Sequence, residues 1–77
     1  MMNYTIDLHG LAREDAFMIV EDELLRLSNM GSFTTTIITG NSKAMRDGVI
    51  NVCLTHGFKY VVSSHNLGEL IVTYTDL

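Results

Sequence analysis

The chain has 77 residues, of which 47% are hydrophobic and 18% are charged, and these values are typical of one small globular domain. The longest hydrophobic run, residues 16–20, is far shorter than the roughly 18 residues that a membrane span needs, and no signal-peptide pattern opens the chain, so we expect a cytoplasmic protein. The formal net charge of −4 argues against a broad nucleic-acid-binding surface, because such surfaces are usually basic.

The first two predicted elements are a strand and a helix. Residues 4–8 alternate and are rich in strand-forming residues, which predicts the first strand. Residues 12–29 carry hydrophobic side chains at helical spacing, which predicts the first helix. Gly31 is a good stop signal for this helix, whereas Ala12 stands where Ser or Thr would cap its start better.

The next two predicted elements repeat this order. Residues 33–39 are β-branched almost throughout and predict the second strand, which a Thr-Gly-Asn-Ser turn ends. Residues 43–56 carry a hydrophobic stripe on one side and predict the second helix. Either Asn41 or Ser42 is the expected N-cap of this helix, and Gly57 is its expected stop.

The chain is predicted to end in a β-hairpin. Residues 58–64 and 69–75 read as strands three and four, and residues 65–68 form the short loop between them. The order β-α-β-α-β-β makes the first two strands parallel, and two helices can cover only one face of a four-stranded mixed sheet. We therefore expect an α/β (α+β) two-layer sandwich. Its open face should carry some of Thr5, Thr34, Thr36, Lys59 and Tyr74.

The first candidate for chemistry lies at the end of the first strand, where the sequence reads Asp7-Leu8-His9-Gly10. Side chains alternate along a strand, so Asp7 and His9 should project to the same side. A carboxylate at that spacing can orient an imidazole and bias its tautomer. Gly10 then allows a tight turn into the helix. Ligands of open α/β sheets bind at this carboxyl end of the strands.

The second candidate is the segment Thr-Gly-Asn-Ser-Lys-Ala-Met-Arg, residues 39–46. Free amides at a helix start favour an anion, and Gly40 allows close approach to the backbone. Lys43 and Arg46 lie on one face of the predicted helix and are the only close pair among the five cations. Because strands one and two are parallel, both candidates should open on one edge of the sheet. Together they suggest a site for a phosphate ester.

Each of these signals has a structural alternative. An Asp-x-His sequence at a strand end is often only a solvated turn, and a Gly-Asn-Ser turn is usually only a helix cap. His56 is expected to complement the C-terminal dipole of the second helix, and His65 to be an exposed loop residue. The single cysteine, Cys53, cannot form an internal disulfide and is expected to be a small buried residue.

At these residues the sequence resembles the Smr (small MutS-related) domain over nearly the whole chain. The family's first motif is a strand ending in Leu/Ile-Asp-Leu-His-Gly, followed by Leu and by an acid before Ala, and residues 6–11 and 15–16 match it. Its second motif is a strand running into His/Thr-Gly-x-Gly with Leu-Arg in the next helix, to which residues 39–42 and 45–46 correspond. Gly68 matches the last glycine of the family's loop before the final strand.

The resemblance implies a fold similar to the C-terminal domain of the third bacterial initiation factor and an endonuclease that cleaves RNA, or nicks DNA. Asp7 and His9 would be the catalytic pair. The residues that would bind the nucleic-acid backbone are Gly10, Gly40, Asn41, Ser42, Lys43, Arg46 and Gly68. RNA is the more strongly expected partner. No cofactor or metal site is predicted, although a weakly held magnesium ion between Asp7 and the substrate stays open.

The sequence also departs from the family pattern. Ser42 stands where the family usually has its second motif glycine, the loop before the final strand is about one residue shorter, and His65 and Asn66 replace most of its glycines. The acidic charge and these replacements favour an alternative function, which is a non-catalytic Smr-like module that binds nucleic acid, a ribosomal surface or a protein partner.

Overall fold

The computed structural model describes residues 2–63, 65–66 and 68–76. It contains the predicted order of six elements, and the two-layer α/β sandwich with a four-stranded mixed sheet is confirmed. The elements are β1 (Met2–Asp7), α1 (Arg13–Met30), β2 (Phe33–Ile38), α2 (Lys43–His56), β3 (Lys59–Val62) and β4 (Glu69–Tyr74). Residues 64 and 67, in the predicted third strand and hairpin loop, lie outside the described residues.

The sheet has the strand order β1-β2-β4-β3. β1 and β2 are parallel neighbours, with Asp7 opposite Ile38, as the helical crossover between them predicts. β4 is antiparallel to both β2 and β3 and lies between them. The carboxyl ends of β1 and β2 and the start of β4 therefore meet at one edge of the sheet, which we call the carboxyl edge.

One face of the sheet, the covered face, packs against both helices. Its central residues are fully buried, among them Phe33, Ile37, Leu70 and Val72. The helices contribute Ala16, Val20, Leu24 and Leu27 from α1, and Met45, Val49 and Cys53 from α2. All six aromatic residues of the chain pack in or against this core.

The opposite, uncovered face carries four of the five candidates named from the sequence, Thr5, Thr34, Thr36 and Lys59, whereas the fifth, Tyr74, lies on the covered face. Tyr74 is paired with Phe33 in the sheet register, so both side chains lie on the covered face. Their rings stack with centroids 5.7 Å apart, and the Tyr74 ring also meets Phe58 edge-on. Alternation along β4 leaves no other place for an aromatic side chain whose neighbour Val72 is buried.

Local interactions explain where α2 begins and ends. The Ser42 hydroxyl accepts a hydrogen bond from the Met45 backbone N–H at 3.1 Å, so Ser42 is the N-cap. Gly57 has φ +75°, and the amides of Gly57 and Phe58 donate to the carbonyls of Leu54 and Cys53. This Schellman arrangement ends the helix. By contrast, no side-chain hydrogen bond caps α1 at Ala12, in agreement with its predicted weak start.

The two helices pack closely at Gly48. A Cβ atom at this position would overlap the Phe17 ring of α1, so a larger residue here would force that ring or the helices to shift. A second link joins His56, in the last turn of α2, to Glu21 of α1, with 2.8 Å between Nε2 and Oε2. Cys53 is fully buried as expected, and this burial raises the pKa of its thiol to about 11. Among the described residues, neither helix is long and apolar enough to cross a membrane.

Candidate functional site at the carboxyl edge

At the end of β1, the side chains of Asp7 and His9 are exposed to solvent, whereas Leu8 between them is buried. Leu8 is fully buried, and its backbone N–H donates to the Ile38 carbonyl at 2.8 Å, so the pairing of β1 with β2 continues one residue beyond the strand. Strand alternation then turns the flanking side chains outward. The side chains of His9 and Asp7 are 77% and 56% exposed.

The carboxylate of Asp7 contacts two groups of His9, its backbone N–H and its ring nitrogen Nδ1. Its Oδ1 accepts a hydrogen bond from the His9 backbone N–H at 3.0 Å, and the same oxygen lies 3.6 Å from His9 Nδ1. The first contact is a true hydrogen bond, and the second is an electrostatic contact beyond hydrogen-bond distance. Because the carboxylate lies on the Nδ1 side, it favours a proton on Nδ1 and leaves Nε2 available to a ligand.

Gly10 makes the turn that follows. It has φ +82°, a left-handed conformation that favours glycine, and the Leu11 N–H closes the turn by donating to the Leu8 carbonyl at 3.1 Å. No other atom would obstruct a Cβ atom at this position, so the backbone angle alone requires glycine. The turn fixes His9 between the strand and α1.

The segment after β2 reaches the same edge and is fastened to the start of β4. The Gly68 carbonyl accepts three hydrogen bonds: from the Thr39 amide at 2.7 Å, from the Gly40 amide at 3.2 Å and from the Thr39 hydroxyl at 3.2 Å. Gly68 is buried, and a Cβ atom there would lie 3.2 Å from the Gly40 carbonyl carbon and oxygen. Gly68 therefore contributes by holding the Gly40 turn in place.

The loop before Gly68 is also organised by side chains. The Ser63 hydroxyl lies 3.3 Å from the amides of His65 and Asn66, which donate to it. Asn66 Oδ1 in turn accepts from the Gly68 amide at 2.9 Å. Asn66 thus stabilises the loop by a side-chain hydrogen bond at a position where the Smr pattern has glycine. His65 is exposed, as expected for a loop residue.

The start of α2 offers fewer free groups than the sequence implied. The Ser42 hydroxyl is occupied as an acceptor by the cap, and the exposed Lys43 ammonium pairs with Asp47 at 2.5 Å. Within the described residues, the amides of Lys43 and Ala44 have no acceptor. These two amides and the positive end of the helix dipole remain directed at the carboxyl edge. Asn41 is exposed in the turn, and Arg46 is half-buried.

Two further features of this edge were not predicted from the sequence: the position of Arg13, and the long-range contact of Thr39, the first residue of the second candidate segment. Arg13 is the first residue of α1, four positions after His9, and it is exposed without an ion pair to any described residue. Its position shortly after the glycine turn, at the start of the helix, is the sequence feature that could have predicted its place at this edge. Thr39 is only 3% exposed, and its hydroxyl contact with Gly68 spans 29 positions, so no local pattern announces it.

The structure therefore brings the predicted groups to one edge of the sheet, at the ends of two paired strands. Asp7, His9 and Gly10 follow β1, whereas Gly40 and Gly68 are in direct contact beside β2. The parts of the chain that the structure describes hold no group of three or more His, Cys, Asp or Glu side chains suited to a metal ion. Comparisons with protein families, curated proteins and solved structures found no match.

Proposed function

We propose that this chain is an Smr-like endonuclease domain that cleaves RNA, with DNA as a second possible substrate class. The observation that carries the proposal is the exposed Asp7–His9 pair, held by a glycine turn at the carboxyl end of a strand. Ligands of open α/β sheets bind at this end. The unoccupied amides at the start of α2, on the same edge, support a phosphate group as the ligand.

In the proposed reaction, His9 Nε2 takes a proton from the attacking hydroxyl, which is either water or the ribose 2′-hydroxyl. The oxygen then forms a bond to phosphorus, and the bond between phosphorus and the leaving oxygen breaks. The leaving oxygen takes a proton from the imidazolium. Asp7 holds the imidazole and stabilises its positive charge, and the amides of Lys43 and Ala44 steady the developing charge on the phosphate.

The test is a cleavage assay on labelled RNA and DNA, with EDTA and with magnesium in parallel. His9→Ala should reduce cleavage by about 10²–10⁴-fold, the usual contribution of a general acid–base. His56→Gln is the matched control, because His56 lies at the opposite end of α2. Equal cleavage by a folded His9→Ala protein and the wild type would remove His9 from the reaction. A loss of activity in EDTA that magnesium restores would indicate that the reaction needs a magnesium ion.

A second function, a non-catalytic module that binds nucleic acid, a ribosomal surface or a protein, is favoured by one observation. The groups at the start of α2 are partly used inside the protein, since Ser42 caps the helix and Lys43 pairs with Asp47. Binding without turnover of either RNA or DNA in the same assay would select this alternative.

A further inference from the structure

The uncovered face of the sheet differs in character from the rest of the surface. The sheet register arranges its side chains in three rows. The row at the carboxyl edge contains Asp7, Ile38 and Glu69, the middle row contains Thr5, Thr36, Ile71 and Val61, and the far row contains Asn3, Thr34, Thr73 and Lys59. The middle and far rows together hold five uncharged hydrogen-bonding side chains and one cation, and no acid.

The acids of the chain lie mostly elsewhere. Five of the nine acids are on α1, which carries only two cations. These five are Glu14, Asp15, Glu21, Asp22 and Glu23. A polyanion is repelled from this helix by simple Coulomb interaction, whereas the middle and far rows present no negative side chain. Apart from Asp7 and Glu69 in the row at the carboxyl edge, the uncovered face is therefore the side of the sheet layer that a nucleic-acid strand can approach.

A cation lies at the far end of this surface. An open depression of ≈ 240 Å³ is lined by Gly57, Lys59, Thr73, Tyr74 and Thr75. Lys59 is exposed and forms no ion pair with a described residue, unlike Lys43 and Arg26. Two carbonyls in the last turn of α2, next to the depression, are bound inside the protein: the amides of Gly57 and Phe58 donate to the carbonyls of Leu54 and Cys53. A phosphate group can therefore meet an unpaired ammonium group there.

The chemistry of the face indicates which strand fits. Threonine hydroxyls both donate and accept hydrogen bonds, as does the ribose 2′-hydroxyl that distinguishes RNA from DNA. All six aromatic residues pack in or against the core and none belongs to the three rows of the uncovered face, so the contacts on that face are to sugar and phosphate rather than to stacked bases. Two of the hydroxyls, those of Thr5 and Thr36, lie side by side in the middle row.

We infer that single-stranded RNA lies across the uncovered face, from the Asp7–His9 pair toward Lys59, which holds a backbone phosphate in the depression. This inference rests on the proposed function for the identity of the ligand. It adds the path of the substrate, an anchoring cation at the edge opposite the cleavage site, and a source of preference for RNA over DNA.

Amide chemical shifts test the path directly. The ¹⁵N-labelled His9→Ala protein, in which cleavage should be strongly reduced, is titrated with single-stranded oligouridine and with oligodeoxyuridine of equal length. We expect perturbed amides in the middle and far rows and around the depression, with tighter binding of the RNA. Perturbations confined to the outer surfaces of α1 and α2 would overturn the inference.

Two variants distinguish the contribution of Lys59 to RNA binding from that of the threonine hydroxyls. Lys59→Gln should weaken RNA binding and lower the slope of log affinity against log salt by roughly 0.7, the value for one phosphate contact of a single strand. Arg26→Gln on α1 is the matched control and should change neither. Thr5→Val with Thr36→Val should reduce the preference for RNA over DNA. Unchanged binding by Lys59→Gln would contradict the phosphate contact of Lys59. An unchanged preference for RNA in the double variant would contradict the role of the two threonine hydroxyls.

The outcomes also separate this inference from the proposed function. Binding along the uncovered face without cleavage by the wild type supports the path and overturns the nuclease. Cleavage that depends on His9, combined with perturbed amides confined to the outer surfaces of α1 and α2, supports the nuclease and overturns the path. Absence of both binding and cleavage overturns both.

Discussion

At the scale of single residues, the chemistry of the candidate site is separated from the packing of the core. Leu8 is buried and fastens the end of β1 to β2, while its neighbours Asp7 and His9 are exposed. Substitutions at the two exposed positions should therefore change function with little effect on the fold. Surface substitutions without special contacts usually alter stability by less than about 0.5 kcal/mol.

Asp7→Asn tests whether the charge of Asp7 matters. The amide oxygen of asparagine can still accept the hydrogen bond from the His9 backbone, so the turn should persist and the thermal midpoint should hardly move. Cleavage should nevertheless fall, by about tenfold or more, because the imidazolium loses its negative partner. Asp22→Asn on α1 is the control for the loss of one charge. If Asp7→Asn cleaves as fast as the wild type, Asp7 serves only the turn.

Thr35 gives a prediction for stability. This residue is fully buried in β2, and its hydroxyl has no hydrogen-bond partner among the residues that the structure describes. A buried hydroxyl without a partner costs free energy on folding. Thr35→Val should therefore raise the free energy of unfolding by about 1–2 kcal/mol, measured by urea denaturation. Thr36→Val, on the uncovered face, is the control and should change it by less than about 0.5 kcal/mol. A destabilised Thr35→Val protein would show that the hydroxyl has a partner.

At the scale of elements, prediction from sequence succeeded where local signals decide the structure. The bounds of α2, residues 43–56, were predicted correctly because a capping serine and a C-terminal glycine mark its ends. β1 begins at Met2 rather than at residue 4, because its pairing with Phe33 extends it beyond the local pattern. β3 begins at Lys59 because the Phe58 amide is used in ending α2. Pairing and capping partners override a residue's own strand preference.

The same reasoning applies to the candidate site. Strand alternation was enough to place Asp7 and His9 together and exposed, and their exposure is observed. The contact of Gly40 with Gly68, and the Thr39 hydroxyl that supports it, join segments far apart in sequence. The pairing of Lys43 with Asp47 depends on side-chain conformations. A spacing pattern contains neither kind of information, so these features required the folded structure.

The contact between the two helices is tested at Gly48. Alanine is a better helix former than glycine by about 1 kcal/mol, so propensity alone predicts that Gly48→Ala stabilises α2. Because the new Cβ atom would overlap the Phe17 ring, we expect overpacking to outweigh this gain and lower the stability by about 1–2 kcal/mol.

Phe17→Leu makes room at the same contact, so the double variant should be more stable than the sum of the two single effects. The measurement is a double-mutant cycle in urea, with Asn51→Ala on the exposed side of α2 as a propensity control. Additive effects would show that the helices shift apart without strain.

At the scale of the whole molecule, the net charge of −4 sets how strongly the protein can bind a polyanion. The acids are concentrated on α1, and few cations are available to replace the counterions of a nucleic acid. Binding should therefore be weak and should depend only shallowly on salt. Selectivity must come from a few positioned groups rather than from a positive surface.

The salt dependence of RNA binding tests this balance at the start of α2. If Lys43 and Arg46 each contact a phosphate, the double variant Lys43→Gln, Arg46→Gln should lower the slope of log affinity against log salt by roughly 1.4, at about 0.7 per contact for a single strand. Asp47→Asn provides the opposite change. It removes the carboxylate that pairs with Lys43 and should therefore tighten RNA binding at low salt. The measurement is fluorescence anisotropy of a labelled single-stranded RNA over a series of salt concentrations. If the double variant and Asp47→Asn both bind like the wild type, the start of α2 does not contact the nucleic acid.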